Sequence, residues 1–282
     1  MEIKSSASLV REMKKVGIKP NKALGQNFII DDNILTKTIL ASEINKKSGV
    51  LEIGPGLGAL THRLSQHALK VVSIELDGKL ANHLGNSVLG YGNIKIIHAD
   101  ALKCDLNKII AENFEGAKVF VVANLPYYIT TPLIMKLLEE GLPISSATVM
   151  VQNEVAKRIV ASHSTADYSA FSIACQFYSA PKVMFTVPPS AFYPPPKVTS
   201  AVVRLDVEGH TKPIVADERK FFKVVKAAFG QRRKTLVNAL GSSFDMPKAQ
   251  LKQLVSDVCG NENIRGENLD ISKFIKISEL IF

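Results

Sequence analysis

The sequence lacks the features that mark secreted, membrane-bound and metal-binding proteins. It has only three cysteines, which are far apart and form no C-x-x-C pair, and its six histidines form no cluster. This usage argues against disulfides and metal sites and fits a reducing cytosol. No apolar run approaches the roughly 20 residues that span a bilayer, and residues 1–20 lack the apolar core of a secretory signal. The sequence therefore predicts a cytoplasmic protein with no membrane partner and no metal.

Glycine and proline are scattered, and 46% of the 282 residues are apolar while 22% are charged. This composition is typical of a globular chain with room for one large and one small domain. The net charge of +9 is concentrated in residues 1–22 and 208–282, whereas the segment between them is nearly neutral. Basic flanks on a neutral body indicate a polyanionic partner, although lysines that only aid solubility would give the same balance.

Short apolar, β-branched runs recur along the chain, and the first five are separated by segments long enough for a helix. This alternation predicts a mostly parallel sheet with helices on both faces. A proline-rich segment at 188–196 joins the last two runs and cannot form a crossover helix, so these runs are predicted to pair antiparallel at the sheet edge. The runs are Val50–Gly54, Val71–Glu75, Ile94–His98, Val119–Ala123, Ala147–Gln152, Val183–Val187 and Val198–Leu205.

Beyond residue 207 the apolar spacing becomes helical. We therefore predict an α/β domain over residues 1–207, with a basic N-terminal segment at 1–22, and a small all-α domain over 208–282 that contacts RNA. One helical stretch carries seven cations with no acidic residue among them, and several should project outward together. They are Arg219, Lys220, Lys223, Lys226, Arg232, Arg233 and Lys234.

The tetrapeptide Asn124-Leu125-Pro126-Tyr127 directly follows a predicted buried strand. Open α/β sheets build their sites at the carboxyl ends of strands. The tetrapeptide offers an amide, a backbone carbonyl fixed by proline and an aromatic face. Those groups suit a planar base with an exocyclic amine, because the amine needs acceptors and the base needs a stacking surface. The alternative is a simple strand-to-loop turn that happens to contain Pro and Tyr.

A glycine-rich loop, Glu52–Gly58, follows the first predicted strand and opens a helix. Gly54 and Gly56 let the backbone turn sharply and approach a ligand. Glu75 ends the second strand, where its carboxylate can accept hydrogen bonds from ribose hydroxyls. The glycines fit NAD as well as S-adenosylmethionine. Asp100, after the third strand, can bond an adenine amine and favours S-adenosylmethionine, although alone it would be interpreted as a helix N-cap.

These motifs closely resemble those of the class I methyltransferases that dimethylate adenine in ribosomal RNA, and among them the small-subunit rRNA adenine N6,N6-dimethyltransferases. The resemblance covers most of the chain, from Lys22–Phe28 to Phe192–Ser200. Macrolide-resistance methyltransferases share the fold but act on large-subunit rRNA. The form of Gln26-Asn27-Phe28, Tyr128–Pro132 and Phe229–Leu236 favours the small-subunit group.

The resemblance implies a role for each matched position. The substrate would be two adjacent adenosines near the 3′ end of the rRNA in an immature small subunit, with S-adenosylmethionine as cofactor and no obligate protein partner. The cofactor would contact Asn27, Ile29, Gly54, Gly56, Glu75, Asp100 and Asn124. The target base would meet Asn124, Leu125, Pro126 and Tyr127, with Phe192 on its other side. The predicted RNA contacts are the basic residues Lys22, Arg232, Arg233 and Lys234.

Two further interpretations stay open at this point. A ribosome-assembly factor could keep the fold while its binding role outweighs catalysis, but the intact loop and tetrapeptide argue against a purely structural protein. An NAD-dependent dehydrogenase fits the glycines, but no catalytic His or Tyr-Lys pair stands in a recognisable place. Phe192, in its proline-rich loop, also fits a hydrophobic plug.

Overall fold

A computed structural model of the chain describes residues 11, 13–15, 17–21 and 24–282. The chain divides into two compact units. The first comprises Met1–Ala156 and Ser179–His210, and the second comprises Lys157–Tyr178 and Thr211–Phe282. Among the described residues, no helix is both long enough and apolar enough to cross a membrane. Lys22, one of the predicted RNA contacts, lies outside the described residues.

The strands all belong to the first unit and lie close to the predicted apolar runs. Seven of them form one sheet, and two strands of two residues each form a separate ladder. In chain order they are β1 (Phe28–Ile29), β2 (Ser48–Ile53), β3 (Lys70–Glu75), β4 (Ile94–His98), β5 (Lys118–Asn124), β6 (Ser146–Gln152), β7 (Ala180–Val187), β8 (Phe192–Tyr193) and β9 (Ser200–Asp206).

Helices alternate with the strands in the first unit and make up the second. Short 3₁₀ turns lie at Tyr127–Ile129, Pro189–Ala191 and Gly266–Asn268. The helices are α1 (Asp32–Ser42), α2 (Ala59–His67), α3 (Gly78–Ser87), α4 (Leu106–Asn113), α5 (Thr130–Glu139), α6 (Asn153–Val160), α7 (Ala170–Tyr178), α8 (Glu218–Gly230), α9 (Leu236–Gly241), α10 (Lys248–Cys259) and α11 (Ile271–Ile281).

The main sheet has the strand order β4-β3-β2-β5-β6-β9-β7. The first five strands in that order are parallel, and β9 runs antiparallel to both of its neighbours. The predicted fold class, a mostly parallel sheet with an antiparallel pair at its edge, is confirmed. The central strands are almost wholly buried, as expected where helices cover both faces. Because β2 to β5 are parallel, their carboxyl ends meet at one edge of the sheet.

The second unit is helical, and it contains a segment that the predicted boundary near residue 207 assigned to the first domain. Residues 157–178 pack with the helices that follow residue 210. Tyr168 and Phe177 share one hydrophobic cluster with Phe221 and Phe274, and all four rings are almost completely buried. The Phe177 and Phe221 rings stack with centroids 5.0 Å apart. A local apolar pattern predicts that α7 is buried but cannot tell which core will bury it.

Candidate active site

The glycine loop between β2 and α2 has the backbone conformation that its sequence predicts. Gly54 and Gly56 both have positive φ, 69° and 59°. Residues with a Cβ rarely adopt this backbone conformation. A Cβ on Gly56 would lie only 3.0 Å from the Phe28 ring. The Gly54 N–H donates to the Ile74 carbonyl at 2.9 Å. The loop is thereby held at the carboxyl end of β3, and its open backbone faces the cavity described below.

Glu75 lies at the end of β3 with 6% of its surface exposed. Its carboxylate accepts two backbone hydrogen bonds, from Gly56 at 3.0 Å and from Asp77 at 2.9 Å. Burial raises the pKa of Glu75, and the two N–H donors act in the opposite direction. Each carboxylate oxygen keeps a second lone pair, so the side chain can still accept hydrogen bonds from a ligand.

Asp100 follows β4 in a turn rather than at the start of a helix. One of its oxygens accepts from the Leu102 N–H at 3.0 Å, and the other is 3.7 Å from the Lys103 ammonium. The local turn thus fixes one carboxylate oxygen. The other remains an acceptor at the same edge of the sheet as Glu75.

The tetrapeptide continues β5 into a 3₁₀ turn and then α5. The Asn124 Nδ2 donates to the Asn27 carbonyl at 3.0 Å. The Leu125 N–H donates to the Met150 carbonyl at 3.1 Å, which fixes the backbone beside it. The Tyr127 hydroxyl is 2.7 Å from the Ser200 hydroxyl, and burial raises the pKa of Tyr127. These bonds hold the amide, the carbonyl and the ring in fixed positions.

A short segment, Gly25–Ile29, crosses this edge of the sheet, and we call it the arm. Its Ile29 pairs with Phe192 in the β1–β8 ladder. Its Gln26 reaches Asp77, at the N-cap of α3, with a hydrogen bond of 3.1 Å. Strands of two residues carry no periodic pattern, so sequence reasoning missed the ladder.

One cavity in the first unit is lined by the predicted residues from the loop, the arm and the strand ends. Polar groups that suit a ribose, an adenine and an amine therefore share one space. The predicted residues that line it are Asn27, Ile29, Gly54, Gly56, Glu75, Asp100, Asn124, Leu125, Pro126 and Tyr127.

Of the residues predicted to contact the cofactor or the target base, Phe192 is the one that does not line this cavity. It is 2% exposed and belongs to the hydrophobic core cluster that also contains Ile29 and Val202. In this conformation it packs as the hydrophobic plug considered above. Stacking on a base would require the ring to leave that cluster, and this role stays a prediction.

Among the lining residues that carried no predicted role, two are ionisable, Glu52 and Tyr128. Glu52, on β2, is 1% exposed, and one of its oxygens accepts from the hydroxyls of Thr61 and Ser73, both at 2.7 Å. Burial raises its pKa to about 7. Tyr128 is half exposed, and burial together with the charges of Asp100 and Glu75 raises its pKa. An acid inside an apolar strand was the available signal for Glu52.

In the helical unit, the basic cluster differs from its predicted form. Helix α8 ends at Gly230, so Arg232, Arg233 and Lys234 lie in the turn before α9 rather than on a helix face. All three are exposed. Arg232 is partly engaged within the unit, since its guanidinium donates to the Ala166 carbonyl at 2.9 Å and lies 3.4 Å from Glu267. Among the described residues, no group of three His, Cys, Asp or Glu side chains could hold a metal ion.

Residues 17–281 match the family model described as ribosomal RNA adenine dimethylase. The chain belongs to this family. The predicted family and the prediction of an enzyme that methylates adenine in ribosomal RNA are therefore confirmed.

Known proteins resemble the chain over nearly its whole length. The ribosomal RNA small subunit methyltransferase A of Alkaliphilus oremlandii (strain OhILAs) is 45% identical, and the match covers 96% of this chain and 95% of the relative. The protein of the same name from Geobacillus thermodenitrificans (strain NG80-2) is 46% identical, over 95% and 93% of the two chains.

Solved structures agree on the fold. A dimethyladenosine transferase from Plasmodium falciparum superposes with a TM-score of 0.73 at 27% identity, covering 89% of this chain and 95% of that one. The 23S rRNA methyltransferase ErmE superposes with a TM-score of 0.68 at 24% identity, over 90% and 99%. At that identity, the likeness to ErmE shows the shared fold alone.

Proposed function

We propose that this chain uses S-adenosylmethionine to dimethylate N6 of two adjacent adenosines near the 3′ end of small-subunit rRNA, during assembly of the subunit in the cytoplasm. The observation that carries the proposal is the meeting of Glu75, Asp100 and Asn124 in one cavity, at the ends of three strands. Family membership and the names of the relatives support the reaction and the small-subunit substrate.

For the cofactor, we assign Glu75 to the ribose hydroxyls and Asp100 to the adenine amine. The open backbone at Gly54 and Gly56 and the arm residues Asn27 and Ile29 complete this part of the site. When bound, S-adenosylmethionine supplies an electrophilic methyl group. No metal takes part in the proposed chemistry.

For the target base, we assign Asn124 Oδ1 and the Leu125 carbonyl as acceptors of the two amine hydrogens. Because the Asn124 Nδ2 is bonded to the Asn27 carbonyl, the side-chain oxygen is the atom left to accept. Two acceptors favour a pyramidal amine nitrogen, whose lone pair is otherwise delocalised into the ring. The proton can leave after transfer, so the protein's contribution is mainly orientation.

Tyr127 is proposed to stack on the extruded adenine. Removing a base from its stack costs a few kcal/mol, and aromatic stacking of about 1–3 kcal/mol offsets that cost. The hydrogen bond to Ser200 fixes the orientation of the ring before the base arrives. Pro126 fixes the backbone between the acceptor carbonyl and this ring.

We assign RNA contact to the helical unit, through Arg233, Lys234 and the partly engaged Arg232, and to Lys22 in the basic N-terminal segment. The first unit then carries methyl transfer. The partner is the rRNA of an immature small subunit, and the assignment requires no additional protein.

Two measurements test this proposal. Calorimetry should show binding of S-adenosylhomocysteine and no binding of NADH, whereas a dehydrogenase of the same fold would reverse that preference. Incubation with labelled cofactor and separate undermethylated small and large subunits should label the small-subunit rRNA. Label confined to large-subunit rRNA would replace the proposal with a methyltransferase of the macrolide-resistance type.

A further inference from the structure

We propose that Gln26 and Asp77 form a positioning pair, whose hydrogen bond fixes the arm so that the Asn27 carbonyl holds the amide of Asn124. The inference rests on the proposed function, because it assigns a task to the arm in the same reaction. Asp77 does not line the cavity. Gln26 does line the cavity, but both polar atoms of its amide are bonded within the protein. We therefore expect the pair to act through the arm and Asn124 rather than on the substrate directly.

Both ends of the Gln26 side chain are engaged. Its Oε1 accepts from the Asn21 N–H at 2.8 Å, and its Nε2 donates to Asp77 Oδ2 at 3.1 Å. A carboxylate only accepts hydrogen bonds, and a backbone N–H only donates. The amide of Gln26 can thus satisfy both partners in one orientation only, and the bond to Asp77 is of the stronger, charge-assisted kind.

Asp77 is a rigid anchor for this bond. Its other oxygen, Oδ1, caps α3 by accepting from the N–H groups of Lys79 at 2.9 Å and Leu80 at 3.4 Å. Its own N–H donates to Glu75 Oε1 at 2.9 Å. Gln26 is therefore tied to the helix start that also supports the carboxylate assigned to the ribose.

The next residue of the arm transmits this constraint. The Asn27 carbonyl accepts from Asn124 Nδ2 at 3.0 Å, so a shift of the arm rotates the amide or breaks its bond. If the bond breaks, the amide can turn its nitrogen toward the amine, and two donors would then face each other. Errors of about 1 Å in such groups can cost about a hundredfold in rate. The pair should therefore affect kcat beyond any effect on cofactor binding.

A purely structural role is the competing account. The arm is also held by Phe28, which packs with Leu57 and Leu80, and by the β1–β8 ladder. Neither the apolar packing of Phe28 nor the backbone pairing of the ladder depends on the side chain of Gln26. A structural role predicts a loss of stability without a specific loss of kcat, so stability and kinetics must both be measured.

The test reverses the polarity of the hydrogen bond. Gln26→Glu places two carboxylates against each other, and Asp77→Asn places two amide donors against each other when the asparagine oxygen caps the helix. In Gln26→Glu/Asp77→Asn the new amide donates to the new carboxylate. That carboxylate still accepts from the Asn21 N–H, and asparagine is also a good N-cap.

We expect each single variant to lose at least about tenfold in kcat on undermethylated small subunits, and the double variant to return to within about threefold of wild type. Binding of S-adenosylhomocysteine should change less than kcat does. Gln253→Glu is the matched control, because Gln253 donates to Asp257 at 2.8 Å on an exposed face of α10. This control should keep the wild-type kcat.

Thermal unfolding shows whether Gln26→Glu folds. If it does not, Gln26→Ala replaces it, because alanine removes the bond without introducing repulsion. The inference is overturned if the folded Gln26 variant keeps kcat within about twofold of wild type, or if the double variant is no better than the worse single variant. A wild-type protein that methylates no adenine would instead overturn the proposed function.

Discussion

Glu75, Tyr127 and Asn124 each have a side chain that is fixed by a hydrogen bond to the surrounding fold. Glu75 accepts backbone N–H groups, Tyr127 bonds Ser200, and Asn124 donates to the Asn27 carbonyl. The oxygens retain lone pairs for a ligand while the side chains have already lost their rotational freedom. Such preorganisation lowers the cost of ordering these groups when the cofactor or base binds.

At this scale, Glu75→Ala should weaken binding of S-adenosylhomocysteine by roughly 1–3 kcal/mol, the cost of losing hydrogen bonds to a charged group. Calorimetry measures the change directly. Binding to small-subunit rRNA should be unaffected, and Glu115→Ala, at an exposed position of the same unit, should bind the cofactor as wild type does. An unchanged cofactor affinity in Glu75→Ala would remove Glu75 from the ribose site.

Asn124→Ala should abolish or severely reduce methyl transfer, because it removes the acceptor assigned to the target amine. The variant should stay folded, since Asn124 ends its strand and is only partly buried. Single-turnover rates with labelled cofactor provide the measurement. Turnover within about threefold of wild type, a change of under about 1 kcal/mol in transition-state stabilisation, would show that the tetrapeptide is merely a turn.

Glu52 makes stability depend on pH in an unusual direction. Its pKa in the folded state is about 7, whereas an unfolded chain leaves a glutamate near about 4.3. Between these values the folded state holds a proton that the unfolded state has lost. The free energy of unfolding must therefore fall as pH rises through this window. Below and above the window, the contribution of Glu52 does not change with pH.

Glu52→Gln removes this titration while keeping the size of the side chain. We expect the free energy of unfolding of wild type, relative to Glu52→Gln, to be roughly 2–3 kcal/mol lower at pH 8 than at pH 5. Urea unfolding of both proteins at both pH values measures the difference, and other carboxylates cancel in the comparison. If the relative stability does not change with pH, the carboxyl of Glu52 is not protonated in the folded state.

Among the elements, α8 and the turn after it carry the basic residues that we propose as RNA contacts. Lys220 and Lys223 on α8 lie over the ring of Phe282, at 5.1 and 5.6 Å from its centroid. Arg232 bonds to the Ala166 carbonyl. Arg233 and Lys234 are exposed in the turn. The two turn residues are therefore the better candidates for phosphate contacts, and Arg232 also supports the unit itself.

Arg233→Gln/Lys234→Gln should weaken binding to undermethylated small subunits. The slope of the logarithm of the binding constant against the logarithm of the salt concentration should become less steep by about 0.7–0.9 per lost phosphate contact. Cofactor affinity should not change. Lys248→Gln/Lys276→Gln is the matched control, because it removes two charges from exposed positions on α10 and α11. Equal loss of binding in both double variants would indicate net charge alone, and an unchanged salt dependence in the first would return the turn to a solubility role.

The elements that sequence reasoning predicted are those with a strong local signal. β4 has its predicted bounds, and the other main-sheet strands shift by a few residues at their ends. The β1–β8 ladder was missed because Phe28–Ile29 and Phe192–Tyr193 are too short for a period to appear. Contacts such as Gln26 with Asp77 join residues 51 positions apart, and no local pattern encodes them.

For the whole molecule, the strand-end acids and the tetrapeptide could be predicted because a parallel sheet places successive carboxyl ends at one edge. The burial of Phe192 and the packing of residues 157–178 with the helical unit could not, since both depend on which apolar surfaces meet. The α/β unit has the polar groups that we assign to methyl transfer in one cavity, and the helical unit carries the basic turn.

The central claim is that this chain dimethylates adenine in small-subunit rRNA. The most direct test is incubation of the protein with undermethylated small subunits and labelled S-adenosylmethionine, followed by digestion of the rRNA and analysis of its nucleosides. The proposal predicts N6,N6-dimethyladenosine as the labelled end product, located at two adjacent adenosines near the 3′ end. Label in any other nucleoside, or a protein that binds the subunit but transfers no methyl group, would contradict it.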